Sequence, residues 1–176
     1  MKTSTIAAAT TALLALAGLT SPAAAHITLA TTEAAVGSTF KAVLVAGHGC
    51  AGAATTGMRV QIPEGFYNVK PMPKAGWELK TVTGPYATPF DNHGTVLTEG
   101  VTEIMWSGGE LPDAFFDEFI FRGTFGSNLE EGSTFYFPVI QICGTTEDAW
   151  IDTSGDADAE LPAPSVTLTP AAGHSH

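Results

Sequence analysis

Met58-Arg59-Val60-Gln61-Ile62-Pro63-Glu64-Gly65 decides the fold class. Met58, Val60 and Ile62 alternate with Arg59 and Gln61, so an extended segment has one apolar and one polar face, and Pro63-Glu64-Gly65 ends it with turn residues. The same pattern recurs on both sides. Apolar residues alternate or cluster in runs of four to eight, Gly or Pro interrupts almost every run, and helix periodicity is nearly absent. The reading gives strands at 26–30, 39–46, 55–62, 78–83, 101–106, 118–125, 134–142, 149–153 and 165–169. Phe119-Ile120-Phe121 and Val139-Ile140 read as buried on both faces. Ser107-Gly108-Gly109 and Glu131-Gly132-Ser133 read as turns. Short strands at this spacing predict an all-β, immunoglobulin-like two-sheet sandwich, with a closed barrel as the alternative. No internal repeat or domain linker interrupts it.

Upstream, Lys2, the apolar stretch Ile6 to Leu19 and Ala23-Ala24-Ala25 have the layout of a secretory signal with a small-residue cleavage site. The apolar run is shorter than the roughly 20 residues of a membrane span, and no later segment is long and apolar enough to span. The expected organisation is a signal peptide at 1–25, one domain at 26–170 and a flexible tail at 171–176. Cleavage after Ala25 leaves 151 residues that begin with His26. It removes Lys2 and no acid, so the formal charge moves from −11 to −12. That balance excludes nucleic acid as a partner, repels anionic membranes, and is compatible with a metal cation. The expected location is the periplasm or the extracellular side of the cell envelope. There, Cys50 and Cys143 are expected to form a disulfide, which competes with a thiolate metal site.

A histidine at position one can offer its α-amine and ring Nδ1 to one metal. Nitrogen donors in a planar arrangement suit copper(II), the divalent ion with the highest affinity in the first-row series. His26 is therefore the first metal candidate. His48 is the second, in the loop Gly47-His48-Gly49-Cys50 immediately after a strand, where small neighbours leave room for a ligand. Two rings and the amine would make a T-shaped, three-nitrogen site, with water, Glu64, Glu103 or Asp152 in the fourth position. Trp77, Trp106 and Trp150 are core residues by default. Trp150 is preferred as a near-site residue because a Cys50–Cys143 bridge would carry it towards His48. Met58, Met72 and Met105 are widely separated, so no thioether cluster favours copper(I). The acidic run from Asp152 to Glu160 lacks the spacing of a calcium loop. His93 lies in an Asp-Asn-His-Gly turn, and His174 and His176 lie in the tail. No phosphate loop, nucleophile elbow or zinc-protease motif is present.

Ala25-His26-Ile27-Thr28-Leu29, Thr55-Thr56 leading into Val60-Gln61-Ile62-Pro63-Glu64-Gly65, and Lys70-Pro71-Met72-Pro73-Lys74-Ala75-Gly76-Trp77 together resemble the YcnI-like bacterial domain. The resemblance continues through Glu103 to Asp113, Phe135 to Cys143, and Trp150 to Asp158. It implies an immunoglobulin-like sandwich that binds copper(II) through its processed N-terminal histidine, assisted by a glutamate and with a tryptophan beside the metal. His26 matches directly. Counting back from Thr55-Thr56, the acidic position falls on Cys50, and His48 is expected to replace the carboxylate. The resemblance also implies a copper carrier or chaperone that works with a membrane copper importer or another envelope copper chaperone. The alternative is a copper-dependent oxidative enzyme with the histidine brace of polysaccharide monooxygenases.

Overall fold

The structure is a computed structural model that describes residues 26–171; the signal region and His174 and His176 lie outside the described residues. Three sheets build the domain. Strands β1 (Thr28–Leu29), β3 (Thr39–Ala46), β8 (Asp117–Phe125) and β5 (Phe66–Pro71) form one, in the order β1-β3-β8-β5. The second runs β11 (Thr146–Trp150), β10 (Val139–Cys143), β4 (Thr55–Gln61), β7 (Thr95–Leu111) and β6 (Glu78–Asn92). β2 (Glu33–Ala35), β12 (Ser165–Thr169) and β9 (Thr134–Tyr136) form the third, where β2 and β12 are parallel. No described helix is long and apolar enough to cross a membrane.

Period-two burial explains the layering. In β3, Phe40, Ala42, Leu44 and Ala46 point inward, and in β4, Met58 and Val60 do the same. Phe66, Phe121, Phe125, Phe135 and Phe137 pack mostly edge-on or tilted at the centre, with Phe66 and Phe125 centroids 4.8 Å apart. Trp106 is fully buried, and its indole donates to the Met72 carbonyl at 3.1 Å.

Several sequence expectations change. Ile120 and Ile140 are only half-buried, so both apolar runs alternate and are not covered on two faces. Ser107-Gly108-Gly109 is no turn. It lies inside β7 beside an irregularity in the β4 pairing, and a Cβ at Gly109 would come within 2.2 Å of the Trp77 ring. The strands expected at 78–83 and 101–106 are parts of one long hairpin that turns at His93 and Gly94, both with positive φ. The run 134–142 divides at Pro138 into β9 and β10, which belong to different sheets. The last strand before the acidic loop is Thr146–Trp150, earlier than the expected 149–153. β2 and β5 are additions.

Candidate metal centre

β1 pairs antiparallel with β3 through Thr28↔Val45 and Leu29↔Leu44. Continuing that register by two residues sets His26 across from Gly47, at the mouth of the loop that carries His48. Sheet pairing therefore fixes the proximity that the sequence left open.

Trp150 lies against both histidines. Its ring centroid is 5.6 Å from that of His26 and 6.3 Å from that of His48, both edge-on at 70° and 75°. Trp150 is buried, whereas both histidines are half-buried and remain in reach of solvent. The other two tryptophans pack on Phe119, at 5.0 Å for Trp77 and 5.6 Å for Trp106.

Gln141 ties the centre together. It is fully buried at the middle of β10, and its Oε1 accepts from the Trp150 indole N–H at 3.2 Å. Its Nε2 donates to the His48 carbonyl at 2.6 Å and to the Thr55 hydroxyl at 2.7 Å. One amide thus fixes the indole and the backbone of the histidine loop. The sequence signal for it was a polar residue at an inward position of an apolar strand, and the sequence reading passed over it.

The loop is held on other sides as well. Cys50 and Cys143 form a disulfide with Cα atoms 5.8 Å apart, and the Cys50 N–H points at Cys143 Sγ at 3.0 Å. A bridge of this kind belongs to oxidising compartments. The Gly49 N–H donates to Asp113 Oδ1 at 2.9 Å, a carboxylate that sequence reasoning also missed. Gly49 itself is required, because a Cβ there would lie 1.7 Å from the Ala53 carbonyl oxygen. His48 Nδ1 contacts the Gly49 carbonyl oxygen. A carbonyl can only accept, so in the tautomer that donates from Nδ1 the ring's lone pair sits on Nε2.

Two of the three carboxylates expected as fourth ligands, Glu64 and Asp152, accept hydrogen bonds elsewhere. Glu64 accepts from the Tyr67 hydroxyl at 2.9 Å and from the Ala87 and Thr88 N–H groups at 3.2 and 3.1 Å. Glu103 pairs with Gln61 and Val82 within the five-stranded sheet, and lines a groove with Arg59 and Ile151. Asp152 is exposed and accepts from the Ser154 N–H at 2.7 Å; the hydrogen bonds from Ser154 lower its pKa. Among the described residues, no cluster of three or more His, Cys, Asp or Glu side chains forms a metal ligand set. The nitrogen donors that the fold brings to this centre are two imidazoles. Thiolate is absent from it because both cysteines are bridged.

One solved structure supports this architecture. A solved structure from Nocardia farcinica, described as revealing an immunoglobulin-like fold, is 22% identical with a TM-score of 0.59; the match covers 82% of this chain and 98% of that one. The sixth cohesin of Acetivibrio cellulolyticus scaffoldin B, solved with a mutant Cel5 dockerin, is 14% identical with a TM-score of 0.37, covering 81% and 97%. No curated protein matches. The family described as "Domain of unknown function (DUF1775)" matches residues 26–168, and the chain belongs to it.

Proposed function

We propose, for this member of the DUF1775 family, that it is an exported copper(II)-binding protein, a carrier or chaperone of envelope copper homeostasis of the YcnI-like type. The reading rests on one observation: two histidine rings flank a single buried indole at the position where signal cleavage would free an α-amine. The family match begins at that residue.

The donor set favours the oxidised ion. The amine and Nδ1 of His26 would chelate together, Nε2 of His48 would complete a T of three nitrogens, and water would occupy the remaining planar position. Such a set suits copper(II), whereas copper(I) prefers thiolate and thioether. Both thiols are consumed in the disulfide, and Met58 is fully buried in the core. Trp150 and Gln141 act on the ligands without touching the metal. The indole limits water on one side, and the amide holds the His48 loop at a fixed distance from β1, as outer-shell groups commonly do for metal-binding histidines. Copper is the cargo here, and a partly open, half-buried site suits its transfer to a membrane importer or to another envelope chaperone.

The test compares protein that begins at a free His26 α-amine with the same protein extended at that nitrogen by an acetyl group, both ending at Ala171 to remove His174 and His176. Titration with copper(II) should give one strong site with a three-nitrogen EPR signature in the first and only weak binding in the second. His48→Ala should weaken binding and change the spectrum. Equal binding by the extended and processed forms would remove the amine from the site and with it this reading.

A further inference from the structure

A cation row on the outer face of the four-stranded sheet stands apart from the copper centre. Lys41 pairs across strands with Arg122, and Arg122 pairs with Lys70 on its other side. All three are exposed, and adjacent strands bring them within a span of roughly 10 Å. They are half of the Lys and Arg residues that remain after signal removal, gathered on one face of a chain with 18 acids. Among the described residues none of them forms an ion pair with a carboxylate; the pairs formed are Lys74–Asp117 and Lys80–Glu78. Like charges directly opposite in a sheet are unfavourable, and an anion from outside would relieve the row.

The next row of the same face is apolar. Val43 pairs with Ile120, and the Met72 N–H bonds to the Ile120 carbonyl at 2.8 Å. Met72 is 48% exposed between Pro71 and Pro73. A shallow groove runs along both rows, lined by Lys41, Lys70, Met72, Ile120 and Arg122 among others, with no carboxylate in its lining. The acids on these strands, Asp117 and Glu118, lie on β8 beyond the apolar row, and Asp117 is held by Lys74 at 2.6 Å.

We propose that this face docks weakly and reversibly on an anionic phospholipid bilayer. Three cations in one line can meet headgroup phosphates in one plane, while the parallel row of Val43, Ile120 and Met72 enters the interfacial layer beside them. An acidic protein would satisfy the cations but leaves the adjoining apolar row unexplained. The overall negative charge does not cancel this attraction, because charges more than about 8 Å from the face are largely screened at physiological salt. The proposal is independent of copper.

Sedimentation of the protein starting at His26 with vesicles provides the test. Binding is expected to phosphatidylcholine mixed with phosphatidylglycerol, not to phosphatidylcholine alone, and added sodium chloride should abolish it. The triple variant Lys41→Gln, Lys70→Gln, Arg122→Gln should bind roughly a hundredfold more weakly, from about fivefold per charge. Lys80→Gln, on another sheet, should bind normally, and none of the variants should lower the unfolding midpoint. Met72→Ser should weaken binding without changing its salt dependence. No binding of the wild type to mixed vesicles, or equal binding by the triple variant, overturns the proposal. So does row-dependent binding to poly-glutamate in place of vesicles, which would assign the face to an acidic protein.

Discussion

At the scale of single residues, Gln141 is the group that joins the indole to the histidine loop. A buried amide costs free energy unless its donors and acceptor are all satisfied, and here they are, by Trp150, Thr55 and the His48 carbonyl. Gln141→Leu would keep the approximate volume and leave three polar groups without their partner. The buried indole N–H alone should cost about 1–3 kcal/mol. We expect urea unfolding to register a loss of that order and copper(II) affinity to fall with it, because the His48 loop loses its inner anchor. A variant with wild-type stability and an unchanged EPR spectrum would show that the amide positions nothing. The histidines and Trp150 were legible from the expected cleavage position, the small-residue loop and the expected Cys50–Cys143 bridge. Gln141 and Asp113 were not, since each acts through a hydrogen bond to backbone or indole that only the fold creates.

At the scale of elements, the long β6–β7 hairpin is pinned to the turn between β4 and β5 by Glu64. The Tyr67 hydroxyl supports that clamp from within, and its pKa is pushed up from 10.0 to about 12, first by burial, then by the hydrogen bond to Glu64 and by that carboxylate's charge. The folded chain therefore holds this proton where the unfolded chain releases it. Stability from this group is complete below pH 10 and is lost as pH rises from there towards 12. The advantage of wild type over Tyr67→Phe in urea unfolding should be largest at neutral pH and should narrow across that window; parallel curves would contradict the clamp. The same region shows where sequence reading stops. β3 and β12 were legible to the residue because nothing but alternation acts in them. β5 was missed because Asn68 has a positive φ and the pairing slips between Tyr67 and Lys70. The hairpin was cut short because Gly84 and Pro85 look like punctuation, although in a two-stranded ladder at a sheet edge they are tolerated as irregularities.

At the scale of the whole molecule, the proposed copper site would couple metal binding to processing, and that coupling should be measurable as stability. A ligand that binds only the folded state stabilises it by mass action, about 2.7 kcal/mol at a hundred times its dissociation constant. For a domain of this size, each kcal/mol moves the unfolding midpoint by about 2–4 °C, so copper(II) should raise it by roughly 5–10 °C. The rise should appear only when the α-amine of His26 is free, since acetylation turns it into an amide with no neighbouring amine to anchor a chelate. Calorimetry of both forms, each ending at Ala171, separates this from nonspecific binding of a cation to an acidic protein, which would move both midpoints alike. Net charge, the most legible property of the sequence, cannot make that distinction. The register of β1 on β3 can, because it holds the first residue of the processed chain beside the loop that supplies the second ring.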